Sequence, residues 1–322
     1  MGSAMYVGQF DAGSTADDVL DGVDLTDRRA IVTGAGSGIG AETARALAAA
    51  GAEVTMAVRN VEGARGLAAS IEAEAGGRGG SVRVAPLDLV DLGSVRAFAA
   101  QWSGRLDILV NNAGVMALPE LTRTPAGWET QFATNHLGHF ALTLGLRRAL
   151  AAADGARVVS VASIGHLYSP VVLDDLHYAF RPYDPWTSYG QSKTANILFA
   201  VGVARLWAAD GIAANALTPG NVGETALARH IPSETLAALM SGQAGMALPA
   251  PKTVAQGAAT SALLAASPTT AGISGRYFED CAEAEVVPDR GERTSGVAAY
   301  ALDEANAERL WAVSNALIES VS

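Results

Sequence analysis

The chain has 322 residues, a net charge of −11, a sequence pI of about 4.9 and a single cysteine, Cys281. So acidic a surface argues against nucleic acid or an anionic membrane as partner, and one cysteine excludes an internal disulfide, which fits a reducing cytoplasm. No signal peptide is legible at the N-terminus, and no run of about 18 apolar residues is free of polar interruption, so no transmembrane helix is expected.

Residues 1–24 are polar and acidic and read as an N-terminal extension, an arm on the surface. From residue 25 to 322 the pattern is that of one domain. Arg29-Ala30-Ile31-Val32-Thr33 is a short apolar run with β-branched residues and predicts a strand. Ala41 to Ala50, rich in Ala, predicts a helix. Between them lies Thr33-Gly34-Ala35-Gly36-Ser37-Gly38-Ile39-Gly40. Glycines between a strand and a helix let the backbone turn sharply and approach a pyrophosphate, which the free N–H groups of the helix start then hold. The spacing Gly34-x3-Gly38-x-Gly40 is one residue longer than the commonest dinucleotide fingerprint.

A second strand, Glu53–Val58, should end beside the adenosine ribose. Proteins selective for NAD place a carboxylate there; this chain has Val58 and then Arg59, whose guanidinium suits a 2′-phosphate. NADP(H) is therefore expected. Gly76–Gly80 reads as a flexible loop. Further strands are predicted at Ser81–Ala85, Leu106–Val110, Arg157–Ala162, Ile212–Leu217 and Gly275–Phe278. Helices fall between them, including one or two in Pro125–Ala152 and others in Lys252–Ala266 and Asp303–Ile318. This alternation predicts an α/β, Rossmann-type, doubly wound parallel sheet of about seven strands flanked by helices.

Tyr189 and Lys193 lie four residues apart on a predicted helix running to Ala208, and so share a face. Tyrosine ionises near pH 10 and is a poor acid–base group at neutrality. An ammonium about 4 Å away, at an effective dielectric of about 20, stabilises the phenolate by roughly 4 kcal/mol before desolvation. That would bring Tyr189 towards the working range. Taken alone, the pair reads more readily as two residues on a solvated helix, where such pairs are common. Ser163 could simply begin a turn, and Asn111 and Asn112 could be turn formers. His136 and His139 have a possible zinc spacing, but no further ligand completes the set, so no metal is expected. Asp174-Asp175 reads as a solvated turn.

The motifs together carry more than any one of them. Thr33-Gly34-x3-Gly38-Ile39-Gly40, Asp88-Leu89, Asn111-Asn112-Ala113-Gly114, Asn135, Ser163, Tyr189-x3-Lys193 and Pro219-Gly220 occur in that order. From about Asp24 onward the chain resembles the short-chain dehydrogenase/reductase family. Ala57-Val58-Arg59-Asn60, Asn135-His136-Leu137-Gly138-His139-Phe140 and Tyr183-Asp184-Pro185-Trp186 are similar to its retinol-dehydrogenase-like, NADP-preferring branch. The resemblance implies roles. Tyr189 would be general acid in reduction and base in oxidation. Lys193 would depress its pKa and hold the nicotinamide ribose, Ser163 would orient the substrate oxygen, and Asn135 would hold a water in a proton relay from Lys193. The dinucleotide would be held by Gly34, Ser37, Gly38, Ile39, Gly40, Arg59, Asn60, Asp88, Leu89, Asn112, Ala113, Gly114, Tyr189, Lys193, Pro219, Gly220, Val222 and Thr225.

Two departures stand out. The family usually has a threonine five positions past the proline of Pro219-Gly220; here Glu224 holds that place and Thr225 comes one later. Ser163 and Tyr189 are also 26 residues apart, counted as 189 − 163, which implies a substrate-side insertion over 165–187. Residues 223–251, rich in Ala, Leu and Met, read as a lid or equally as helix core or subunit contact. Relatives of this type imply a homodimer or homotetramer built through long helices, with Ala-rich faces on 125–150 and 189–208 as candidates. The expected function is an NADP(H)-dependent carbonyl reductase or alcohol dehydrogenase acting on a small hydrophobic ketone, aldehyde or secondary alcohol. The alternative is a non-catalytic NADP(H)-binding sensor on the same fold.

Overall fold

The structure, a computed structural model, describes residues 5–223, 225–231, 234 and 249–321. Among these, eight strands form one sheet in the order β3-β2-β1-β4-β5-β6-β7-β8. They are β1 (Arg29–Thr33), β2 (Glu53–Val58), β3 (Ser81–Pro86), β4 (Ile108–Asn111), β5 (Arg157–Val161), β6 (Ala213–Leu217), β7 (Tyr277–Glu279) and β8 (Ala282–Glu283). The first seven pair in parallel, as the alternating pattern predicts. The eighth is a correction to the expected seven: a tight turn at Asp280 and Cys281, both with positive φ, folds two residues back antiparallel onto β7. So short a hairpin has no periodicity to read.

Strand residues alternate between two apolar layers. Ala30, Val32, Val54, Met56, Val159 and Phe278 face one; Ile31, Ala57, Leu109, Val158, Ala214 and Tyr277 face the other. The first layer is closed by α2 (Gly38–Ala49), α3 (Val61–Ala75) and a helix at Val254–Ala266. The second is closed by α4 (Leu92–Gln101), the helix at Gly138–Ala151 and the long helix Pro185–Leu206. Both faces are thus dry over the central strands β1, β2, β4, β5 and β6, which is why these read as continuous apolar runs, while the edge strand β3 stays partly exposed.

The N-terminal extension is not a free arm. A helix at Ala16–Leu20, started by a Thr15–Asp18 capping box, buries Ala16, Val19 and Leu20 in the first layer beside Val254–Ala266. Tyr6 lies on Phe278 at 5.7 Å, and its N–H donates to Glu283 at 2.9 Å. Three apolar residues in an otherwise acidic stretch were too sparse a signal to read as packing. The helix Pro185–Leu206 also departs from expectation: Ser188 to Val203 are all buried. The C-terminal helix Glu304–Glu319 covers it, with the Trp311 ring so close to Gly202 that a methyl there would lie 2.9 Å from Cε3. This helix therefore offers no exposed alanine face for an oligomer interface over 189–203.

The chain crosses from β3 at one edge to β4 on the far side of β1. The loops after β1 and β4 therefore diverge and leave a crevice at the carboxyl ends of the strands, the place where open α/β sheets bind ligands.

Candidate active site

A cleft of about 900 Å³ opens there, lined by the glycine loop, Arg59, Asp88, Leu89, Asn112–Gly114, Ser163, Tyr189, Lys193, Pro219, Gly220, Val222 and Thr225. At its first end the glycines are required by space. A methyl at Gly40 would lie 2.3 Å from Asn112 Nδ2 and 2.7 Å from the Gly34 carbonyl; one at Gly34 would lie 2.8 Å from Ala113 Cα. Gly34 and Gly38 also have φ of +67° and +56°, which favours glycine. α2 begins at Gly38, and Ser37 makes no side-chain cap bond to it. The first-turn N–H groups thus point uncapped into the cleft, a fit for a pyrophosphate. Ile39 lines the same loop.

Thr33 joins this loop to the next strand end. Its hydroxyl accepts from the N–H groups of Asn112 (2.9 Å) and Ala113 (3.0 Å), while Asn112 Nδ2 donates to the Thr33 carbonyl at 2.8 Å. The hydroxyl proton is then free for His139 Nε2 at 2.8 Å, and His139 Nδ1–H donates to the Asn135 carbonyl at 2.9 Å. Burial pushes the His139 pKa down to about 4, so the ring is neutral, as this bonding pattern requires. The sequence assigns His139 no role beyond its place in the Asn135–Phe140 motif; in the fold it ties the glycine loop to Asn135. His136 bonds Ser314 instead, and among the described residues no cluster could hold a metal.

Asn135 sits in a π-turn, Ala133–Leu137, inserted between helical segments. π-turns recur at functional sites and leave no sequence signal. Its side chain is fully buried: Oδ1 accepts from Val115 N–H and Nδ2 donates to the Val115 carbonyl and to Ser192 Oγ, each at 2.9 Å. Both amide protons are therefore occupied. A methyl at Gly114 would lie 3.1 Å from Asn135 Oδ1 and 3.6 Å from Lys193 Nζ, so these three converge.

Ser163, Tyr189 and Lys193 meet at the second end. The Ser163 hydroxyl accepts from Gly165 N–H at 3.0 Å, capping a 3-10 turn over Ile164–Tyr168. Turn starter and site residue are thus the same side chain, and its proton stays available. Tyr189 is 3 % exposed. Burial pushes its pKa up to about 12, with the Ser163 hydroxyl bond opposing the rise. Lys193, equally buried, is pulled down to about 8 and donates to the Val161 carbonyl at 3.0 Å. Its Nζ lies 5.6 Å from the Tyr189 ring centre. Desolvation is the larger influence on Tyr189, and the Ser163 hydroxyl bond the opposing one.

Gly165 was missed by sequence reading. A methyl there would lie 2.9 Å from Tyr189 Cε1, so the catalytic candidate ring stacks on bare backbone. Val115, Met116, Leu118, Ile164, Leu167 and Trp186 make the walls at this end apolar. The insertion 165–187 is more ordered than its prolines suggest: Tyr183 donates to the Leu118 carbonyl at 2.8 Å, and Asp175 accepts from three N–H groups, of Ala179, Phe180 and Arg181.

The remaining expected contacts divide. Arg59 is exposed at the cleft edge. Asn60 is spent on capping α3, accepting from Gly63 N–H at 3.0 Å. Asp88 lines the cleft and accepts from Val90 N–H. Val222 packs on Gly257 and Thr225 lies over Gly38, 3.3 Å from where a methyl on that glycine would sit. Thr225 thus reaches the glycine loop despite its shifted position. Glu224 and most of the expected lid over 223–251 lie outside the described residues.

Strand order and crevice define a Rossmann-type dinucleotide fold carrying a serine, a tyrosine and a lysine at one end of its cleft. The short chain dehydrogenase profile matches residues 28–235. The chain is 56% identical over 292 residues to a probable oxidoreductase of Streptomyces lividans, covering 90% of this chain and 97% of that one. It is 40% identical over 299 residues to retinol dehydrogenase 14 of Mus musculus, covering 89% and 85%. A crystal structure of an uncharacterized protein from Mycobacterium paratuberculosis superposes with a TM-score of 0.72 at 35% identity, covering 95% of this chain and 98% of that one. The chain belongs to the short-chain dehydrogenase/reductase family, of the retinol-dehydrogenase-like kind. That family works on CH–OH and C=O groups with NAD or NADP. Among the described residues no helix is long and apolar enough to cross a membrane.

Proposed function

We propose that this protein is an NADP(H)-dependent carbonyl reductase acting on small, largely apolar ketones or aldehydes. The observation that carries this reading is the pairing of Ser163 and Tyr189. The Ser163 oxygen accepts from Gly165 N–H, which leaves its proton to donate, and Tyr189 holds its own proton up to about pH 12. Two hydroxyl donors at an apolar pocket end stabilise the negative charge that develops on a carbonyl oxygen during reduction. Bound along the cleft, the dinucleotide would supply the hydride to the carbonyl carbon. Tyr189 passes its phenolic proton to the oxygen, Ser163 holds that oxygen in register, and Lys193, charged below about pH 8, steadies the phenolate that remains. Asn135 fixes Val115 and Ser192 around them.

The preference for NADP(H) rests on Arg59 at the cleft edge and on Val58 before it, the place where NAD-selective proteins carry a carboxylate. The test is a fluorescence titration with NADPH and NADH on wild type and Arg59→Ala. NADPH should bind more tightly, and the variant should lose about tenfold towards the NADH value. Equal binding of the two in wild type would overturn the cofactor assignment. No NADPH oxidation across a broad carbonyl panel would overturn the reaction.

A further inference from the structure

Arg290 and Arg293 line the cleft but belong to none of the motifs. They stand on the loop joining β9 (Val286–Val287) to β10 (Val297–Ala298), a separate two-stranded sheet. That sheet packs on the turn that begins with Ser163: Val287 and Ala298 form one apolar cluster with Leu167 and Ile164. His166, within the turn, accepts from Ala298 N–H at 3.1 Å, and Tyr300 OH donates to its carbonyl. At the other side Gly296, with φ of +96°, gives its N–H to the Glu279 carboxylate at 2.9 Å. The loop is therefore clamped to the element that carries Ser163.

Arg290 lies over the Tyr168 ring, its guanidinium carbon 4.0 Å from the ring centre. Tyr168 ends the same turn, its Cβ 3.1 Å from where a methyl on Gly190 would sit, next to Tyr189. Arg293 is steadied by a bond from Nε to the Asp289 carbonyl. Asp289 and Glu292 are their acidic neighbours in sequence, yet among the described residues neither guanidinium has a carboxylate within the 4.0 Å of an ion pair. In a chain of net charge −11, two such cations at the rim of an apolar pocket call for an explanation. Stacking on the Tyr168 face, with a hydrogen bond to its hydroxyl, holds the Arg290 guanidinium in place while its other N–H groups remain to meet a ligand.

We propose that Arg290, assisted by Arg293, is a substrate anchor: the substrate is an apolar carbonyl compound bearing an anionic group, a carboxylate or phosphate monoester, remote from the reacting carbon. The proposal rests on the reading of Ser163 and Tyr189 as the reacting end. It narrows that reading from apolar to amphipathic compounds. The N–H groups of Arg290 donate to oxygens of either anion, and the walls of Val115, Leu118 and Trp186 take the chain between.

Binding, not turnover, tests it, so its failure is distinct from failure of the reductase reading. Octanoate, octyl phosphate and octanol are titrated calorimetrically into wild type, Arg290→Gln, Arg290→Lys and Arg293→Gln, with and without NADPH. None of the three is reducible by NADPH. One or both anions should bind about tenfold more tightly than octanol, by the usual strength of charge-assisted bonds, and the tighter of the two identifies the group. That ratio should collapse in Arg290→Gln, fall partly in Arg293→Gln and be partly kept in Arg290→Lys, which retains charge without the fork. Equal binding of all three in wild type overturns the proposal, as does a preference that survives Arg290→Gln or an absence of anion binding in both cofactor states.

Discussion

The two ends of the cleft are built differently. At the glycine end the backbone itself makes the site: contacts with Ala113 and Asn112 leave no room for a side chain at Gly34 and Gly40, and Gly38 is held at a φ of +56°. At the Tyr189 end, side chains make the site, and each is held by a segment remote in sequence. Ser163 is aligned by the turn at Ile164–Tyr168, that turn by β10, and the Leu118 wall by Tyr183. A backbone site tolerates one ligand shape and is written locally. A side-chain site can be retuned by loops, and its specificity is written elsewhere in the chain.

If the two ends are separable, the largest effect comes from a change at one that the other does not feel. Tyr189→Phe removes the proton donor and keeps the ring. Carbonyl reduction should fall about 10²–10⁴-fold, while NADPH affinity measured by fluorescence stays within about twofold, the glycine end being untouched. Loss of dinucleotide binding along with turnover would break the comparison. Gly165→Ala attacks the same end through packing, since the new methyl must displace the Tyr189 ring from 2.9 Å. A misplacement of this size should cost up to about 10²-fold in kcat, and a crystal structure of the variant would reveal the shifted ring. Full activity would mean that Tyr189 moves freely.

The same contrast explains what was legible in the sequence. The glycine loop, the seven parallel strands and the Tyr189-x3-Lys193 face were readable because each depends on local spacing or on a short, continuous apolar run. The π-turn at Asn135 leaves no sequence signal, and the role of His139 and the need for Gly165 follow from contact between distant segments: His139 with Thr33, 106 residues away, and Gly165 with Tyr189. The buried helix face at Gly202 was misread for a related reason. Its Ala-rich pattern is the same whether Trp311 or another subunit covers it, and only the fold decides between them. The N-terminal helix at Ala16–Leu20 was lost in its acidic surroundings, though its Thr15–Asp18 box was a local cue.

A pH series sharpens the comparison without mutation. Lys193, whose pKa is pulled down to about 8 by burial, is charged below that pH and neutral above it, whereas Tyr189 remains protonated until about 12. Reductase turnover should therefore decline through a single ionisation near pH 8, by up to about tenfold per pH unit. Stability should move the other way. A lysine with a lowered folded pKa binds fewer protons folded than unfolded between about 8 and its ordinary 10.5, so the stability cost of its charge is relieved as pH rises through that window. Thermal unfolding across the series checks the sign. Activity flat to pH 10 would mean that the Lys193 charge is not needed.

The smallest effect separates two neighbours at the glycine end. Arg59 and Asn60 were both expected to hold the dinucleotide, but Asn60 accepts from Gly63 N–H and starts α3. Asn60→Ala should therefore cost about 1 kcal/mol of stability, the usual value of a lost N-cap, seen as a lower midpoint in chemical denaturation, and change NADPH affinity by less than about twofold. Asn60→Asp, which keeps the cap acceptor, should restore stability. Yet it sets a carboxylate one residue past Arg59, where it opposes a 2′-phosphate, so NADPH affinity should fall while NADH affinity holds. If the aspartate variant binds NADPH as well as wild type does, the side chain at residue 60 does not face the ribose, and selection between the two dinucleotides falls to Arg59 alone.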